Sequence, residues 1–277
     1  MKKKITQACI VTSIFLNLSS VVFSQDNTWF IDKTTDLGLS SFPPGGVMGL
    51  DMTNDGYPDL LSVSSAGCAI YINTDDPNSA NPLDRIFVDA TAGSGLNITN
   101  VPIQMASAAD FNNDGNIDII TNVWAPSSDS TSRCHIFMGD GSGHFTLKSN
   151  SGLEALGGMS GTALPILDFD KDGNLDLFIR THYETGTGTV MPNYLMKGNG
   201  DGTFTNVSTS SGIASVVDPL FGANIADWNN DCNQDILTAP YLDAGFGDLW
   251  KNNGNNTFTN VATSIGYNPH WMTGDAG

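Results

Sequence analysis

Glutamate is nearly missing from this chain: of its 29 acidic residues only Glu154 and Glu184 carry the longer side chain, and the rest are Asp. Lys and Arg together number 11, against 30 Gly. Amphipathic helices are built largely from Glu, Lys and Ala, whereas Asp and Gly belong to turns, caps and metal loops. The composition therefore excludes a helical core and points to an all-β chain. The shortage of basic residues also excludes a nucleic-acid partner, because neutralising phosphates needs clustered Lys and Arg. Cysteine is scarce, and Cys9, Cys68, Cys134 and Cys232 show no metal-ligand spacing. The disulfide state of Cys68, Cys134 and Cys232 stays open between one bridge with a free thiol and three separate thiols.

Long apolar runs are lacking too, with one exception near the N-terminus. The stretch from Ile10 to Phe23 is interrupted by Thr12, Ser13, Asn17, Ser19 and Ser20, which leaves it too short and too polar to span a membrane. Lys2 to Lys4 precede it and small residues follow, so residues 1–24 read as a secretory signal peptide and the protein as secreted or cell-surface. Cys9 lies before the apolar run, where a lipid-acceptor cysteine would lie after it. No other segment is a transmembrane candidate. Removing three lysines and no acid takes the formal charge from −18 to −21. That charge needs a counterion.

What the chain does have is a repeat. DMTNDGYPDLL from Asp51, DFNNDGNIDII from Asp110, DFDKDGNLDLF from Asp168 and DWNNDCNQDIL from Asp227 start 59, 58 and 59 residues apart. A second landmark keeps step, in FIDKTTDLGL from Phe30, FVDATAGSGL from Phe87, FTLKSNSGL from Phe145, FTNVSTSSGI from Phe204 and FTNVATSIGY from Phe258. Each period holds four strand-length apolar runs bounded by Gly, Asn, Asp or Ser; in the second these are QMASAAD, DIITNVW, CHIFMG and HFTLKS. Four antiparallel strands per period describe a β-propeller blade. Small residues at Ala106 to Ala109, and at Ala223 and Ala226, suit a first strand near a crowded central axis.

The Asp-rich stretches are not EF-hands. An EF-hand needs an acid at loop position 12 and a helix beyond it, but the residues there are Ser62, Thr121, Ile179 and Thr238, and strand-like sequence follows. Alternate positions still supply the hard oxygens that calcium takes. The expected ligands are Asp51, Thr53, Asp55, Tyr57 and Asp59 in the first loop, and Asp110, Asn112, Asp114, Asn116 and Asp118 in the second. They are Asp168, Asp170, Asp172, Asn174 and Asp176 in the third, and Asp227, Asn229, Asp231, Asn233 and Asp235 in the fourth. The seventh position contributes through its backbone carbonyl. Carboxylates about 5 Å apart repel by roughly 3 kcal/mol per pair at an effective dielectric near 20, so a cation is expected to settle the loop. Hairpin-capping Asx-turns without metal are the alternative reading. Thr53 is a weaker donor, and Cys232 replaces a turn glycine, which weakens the first and fourth loops. Met52, Phe111, Phe169 and Trp228 at the second positions are expected to pack between blades.

These loops resemble the FG-GAP or VCBS repeats of integrin-α-like propellers, and NGDGTFTNVSTSSGI from Asn199 is similar to the repeat of cartilage acidic protein and ASPIC/UnbV-type secreted proteins. The resemblance covers residues 27–277 and implies a calcium-binding ring of about seven blades with roles in adhesion or recognition. Residues 25–277 are accordingly expected to form a partial propeller ending before a fifth loop, with a strand at Trp29 to Lys33 that would complete the last blade of a closed ring.

No catalytic motif accompanies the loops: His135, His144, His182 and His270 share no spacing, and GMSG near Ser160 reads as a connector. The expected role is a non-enzymatic adhesion or ligand-recognition module. The competing roles are the propeller part of a carbohydrate-active enzyme such as a polysaccharide lyase, and a structural spacer. The loops joining second to third strands vary most in this chain, so a protein or glycan partner is expected on the face opposite the calcium loops, with Trp124, Tyr183 and Tyr241 as contacts.

Overall fold

The structure, a computed structural model, describes residues 31–64, 67–81, 83–96, 103–123, 134–156, 161–181, 192–213, 220–240 and 247–267. The expected signal peptide, Trp124, Tyr183, Tyr241 and the C-terminal end lie outside them. Among the described residues no helix is long and apolar enough to cross a membrane.

The strands form antiparallel sheets in sequence order. The first blade contains β1 (Gly46–Leu50), β2 (Asp59–Ser64), β3 (Gly67–Asp75) and β4 (Arg85–Asp89). The second contains β5 (Ile103–Ala109), β6 (Asp118–Val123), β7 (His135–Gly139) and β8 (Phe145–Leu147). In the third the leading strand is split into β9 (Gly161–Ala163) and β10 (Ile166–Leu167), followed by β11 (Asp176–Thr181), β12 (Tyr194–Gly198) and β13 (Phe204–Asn206). The fourth contains β14 (Leu220–Ala226), β15 (Asp235–Pro240), β16 (Leu249–Asn252) and β17 (Phe258–Asn260). This is the four-stranded, blade-like architecture of a β-propeller.

The split in the third blade has a local cause. Pro165 cannot donate to the ladder, and its carbonyl instead accepts from the Phe178 N–H at 3.0 Å. Short helical turns not foreseen in the sequence follow the fourth strands, at Thr91–Gly93, Glu154–Leu156, Ser208–Ser211 and Ala262–Ile265. The first three lie between one blade and the next. The glycine of the SGL landmark makes that approach possible: a Cβ on Gly95 would lie 2.0 Å from the Phe145 carbonyl oxygen, and one on Gly152 would lie 2.2 Å from that of Phe204.

The core lies between blades, because the inner strands alternate their side chains into two different interfaces. Ile119 packs with Met52, Leu61, Ile70 and Phe137 between the first and second blades. Its neighbour Ile120 packs with Phe111, Ile136, Leu177 and Ile179 between the second and third. Phe178 points the other way, onto Leu195, Ile236 and Trp250 between the third and fourth. In β15 the next residue, Leu237, borders an open cleft of about 330 Å³ that Gly222, Asn224 and Tyr267 also line.

The expected strand at Trp29 to Lys33 falls partly outside the described residues, which begin at residue 31, and residues 31–33 lie in no strand. One expectation needs correction. Of the second-position residues, Met52, Phe111 and Phe169 are buried to 2% exposure, but Trp228 is 38% exposed. Phe111 meets Phe204 and Phe169 meets Phe258, each on the fourth strand of the following blade. Trp228 has no such phenylalanine among the described residues.

Candidate metal centre

Each Asp-rich segment is the hairpin tip between the first and second strands of a blade, closed by a strand pair. These pairs are Leu50 with Asp59, Ala109 with Asp118, Leu167 with Asp176 and Ala226 with Asp235. The loop's own carboxylates tie down its backbone. In the third loop, Asp168 accepts the N–H groups of Asp172 and Gly173, each at 3.1 Å. Asp172 accepts from Asn174 at 2.9 Å. Asp176 accepts from Phe169 at 2.9 Å and from Gly198 on β12 at 2.8 Å, which joins the loop to the third strand.

The pattern recurs around Asp51, Asp55 and Asp59, around Asp110, Asp114 and Asp118, and around Asp227, Asp231 and Asp235. Each loop thus contains the Asx-turn of the metal-free reading at its fifth position and a buried carboxylate clamp at its ninth. The sharp bend requires left-handed backbone at the sixth position, with φ 86° at Gly173 and 66° at Cys232.

The third position sets the loops apart. Asn112 and Asn229 fold back, their amides donating to Asp114 at 2.8 Å and Asp231 at 2.9 Å. Thr53 donates to Asp59 at 3.4 Å. Asp170 cannot donate. Its side chain is only 6% exposed, and its Oδ1 is buried with no hydrogen-bond partner. Carboxylate oxygens of Asp168, Asp170 and Asp176 lie within 4.8 Å of one another, the only such acidic group among the described residues.

Burial pushes the Asp176 carboxyl up to about 7 and that of Asp118 up to about 6, and raises Asp59 and Asp235 as well. Asp172, Asp55 and Asp231 move the other way: the Lys197 ammonium lowers Asp172, and the N–H groups of Tyr57 and Asn233 lower Asp55 and Asp231. An unpartnered buried oxygen beside two further carboxylates is the donor chemistry that a hard divalent cation takes. Asp168, Asp170 and Asp176 could hold such an ion, with Asp172 and the Asn174 carbonyl on the same tip.

Basic side chains near these tips have no counterpart in the sequence reading. Lys197 on β12 bonds both Asp170 and Asp172. Lys251 on β16 lies 3.4 Å from Asp231. Arg85 on β4 pairs with Asp55 at 3.0 Å and with Asp75 at 2.9 Å, and stacks 3.6 Å above the Tyr57 ring. Aligning LMKGNGDGTF, LWKNNGNNTF and IFMGDGSGHF would have put Lys197, Lys251 and Met138 in one register.

The model of the FG-GAP-like repeat family matches residues 51–121, 110–179 and 168–238, each match running from one Asp-rich loop through the next. No curated protein matches the chain. Among solved structures, an Agrocybe aegerita lectin described as specifically recognising non-reducing terminal N-acetylglucosamine is 19% identical, with a TM-score of 0.46. That match covers 77% of this chain and 50% of the lectin. The V. cholerae biofilm matrix protein Bap1 is 18% identical with a TM-score of 0.32, covering 76% of this chain and 29% of Bap1. The chain thus spans half or less of the length of these two structures.

Proposed function

The chain belongs to the FG-GAP-like repeat family, and from that premise we propose that it is a secreted, calcium-binding propeller module, non-catalytic, that recognises a protein or glycan. The observation that carries the calcium reading is the Asp170 Oδ1, buried and unpartnered among Asp168 and Asp176. Leaving a charged oxygen in that state costs several kcal/mol unless a cation or a donor meets it. Bound calcium would supply positive charge at each loop and fix the tip against the third strand. The signal-like N-terminus would deliver the protein to an exterior where calcium is abundant.

The recognition reading rests on geometry. Antiparallel blades put the acidic tips and the loops joining second to third strands at opposite ends of the sheets. The latter carry the length variation in this sequence, and rigid scaffolds present their binding residues on such loops.

Dialysis against millimolar calcium followed by elemental analysis tests the metal reading. Bound calcium in stoichiometric amount, with a clear fall in melting temperature on chelation, is the expected result; no bound ion overturns it. Glycan-array and pull-down binding that survives replacement of all the second-to-third loops overturns the recognition reading.

A further inference from the structure

We propose that Lys197 is a displaceable internal counter-cation, holding the third loop together when calcium is absent and swinging out when the ion enters. The inference rests on the calcium reading above. Its ammonium reaches Asp170 and Asp172 together, on the same tip as the carboxylate group of Asp168, Asp170 and Asp176. A divalent ion drawn to the unpartnered Asp170 Oδ1 must share the Asp170 carboxylate with this lysine. Two cations cannot both sit against it without strong repulsion.

The side chain has somewhere to go. Lys197 is 29% exposed, and a lysine carries its charge on a long flexible stem, so release into water costs it little beyond the two ion pairs. The second loop supplies the natural control: Met138 stands at the matching place on β7, beside the Gly139 N–H that meets Asp118 just as Gly198 meets Asp176. The two loops with the fullest donor sets therefore differ in two respects: Asn112 stands where the third loop has Asp170, and only the third loop has a lysine against its tip. Calcium enters the third loop against a tethered cation, which the second loop lacks.

The consequence is a third loop that is structured in both states, with a calcium affinity lowered by the lysine it must release. The experiment compares the full chain with Lys197→Met by calcium calorimetry and by melting in chelator. The expected result is one class of site tightened by about tenfold, the scale of two partly screened ion pairs, together with a lower melting temperature in the absence of metal. Unchanged or weaker calcium binding in Lys197→Met, while the unmodified protein binds the ion, overturns this inference alone. No ion bound by either protein overturns the calcium reading with it.

A second measurement needs no variant. Reductive methylation of the unmodified protein, read by mass spectrometry, should label Lys197 faster with calcium than with chelator. Lys148, half-buried, outside the Asp-rich loops and near Asp201 in the turn after β12, is the internal reference. Equal labelling of Lys197 in the two conditions overturns the displacement.

Discussion

The Asn54 amide donates to the Asn116 side-chain oxygen at 2.8 Å, so the tip of the first loop is fastened to that of the second. Asn113 repeats the bond to Asn174 at 3.1 Å, and Gln234 accepts from the Asp168 N–H at 2.7 Å. The acidic tips form one hydrogen-bonded series across the blades. Asn54→Ala is expected to cost about 0.5–1 kcal/mol, measured by urea unfolding, and to reduce the cooperativity of calcium binding. A variant with full cooperativity would show the tips to be independent.

Asp176 is a clamp before it is a ligand. Its two oxygens satisfy the N–H groups of Phe169 and Gly198 in a fully buried setting. Asp176→Ala strands both donors and is expected to destabilise the protein by about 2–4 kcal/mol even in chelator. Asp172→Ala, at the more open tip, should cost much less without metal. Equal losses for the two in chelator would contradict the assignment.

The same repeat position should give opposite results in different blades. Phe169→Ala empties a buried contact with Phe258 and is expected to cost about 3–5 kcal/mol. Trp228→Ala, at an exposed site, should cost under about 1 kcal/mol. Urea midpoints at constant slope decide it.

Acidity should act in opposite directions with and without metal. Burial raises Asp176 to about 7 and Asp118 to about 6 in the folded chain, above their ordinary 3.8. Folding therefore takes up protons, and the associated stability is complete below about pH 4 and is lost as pH rises through about 6 to 7. The lowered Asp55, Asp172 and Asp231 lose their contribution only in more acidic solution, outside that window. In chelator, the melting temperature should be higher at about pH 5 than at about pH 8. In excess calcium, which requires ionised carboxylates, acidification should lower it. Parallel profiles in the two conditions would contradict this.

Cys232 occupies left-handed backbone, φ 66°, where the other loops have glycine. Cys232→Gly should remove the steric penalty on its Cβ and raise stability by about 1 kcal/mol, seen as a higher melting temperature.

The blade and the acidic tips were legible in the sequence because both depend on local spacing. The regular Asp spacing marks each tip, and alternation within DIITNV or DLFIR fixes which face each side chain takes; the ninth Asp, expected as a ligand, turns out also to clamp the second-position N–H of its own loop. What could not be read depends on partners far along the chain. Lys197 reaches Asp170 across 27 residues and Asn54 reaches Asn116 across 62, and neither residue type signals such a partner. The exposure of Trp228 follows from what stands in the next interface, which its own repeat does not encode. Pro165 was visible, but its interruption of a strand was masked by the apolar residues around it.

Consider how such a chain can change in length. Leu177, Phe178 and Ile179 feed two separate cores in turn, so one residue inserted in β11 would exchange the contents of both at once. Growth by insertion is therefore confined to hairpin ends, and the body of the protein can lengthen only by duplication of an entire period.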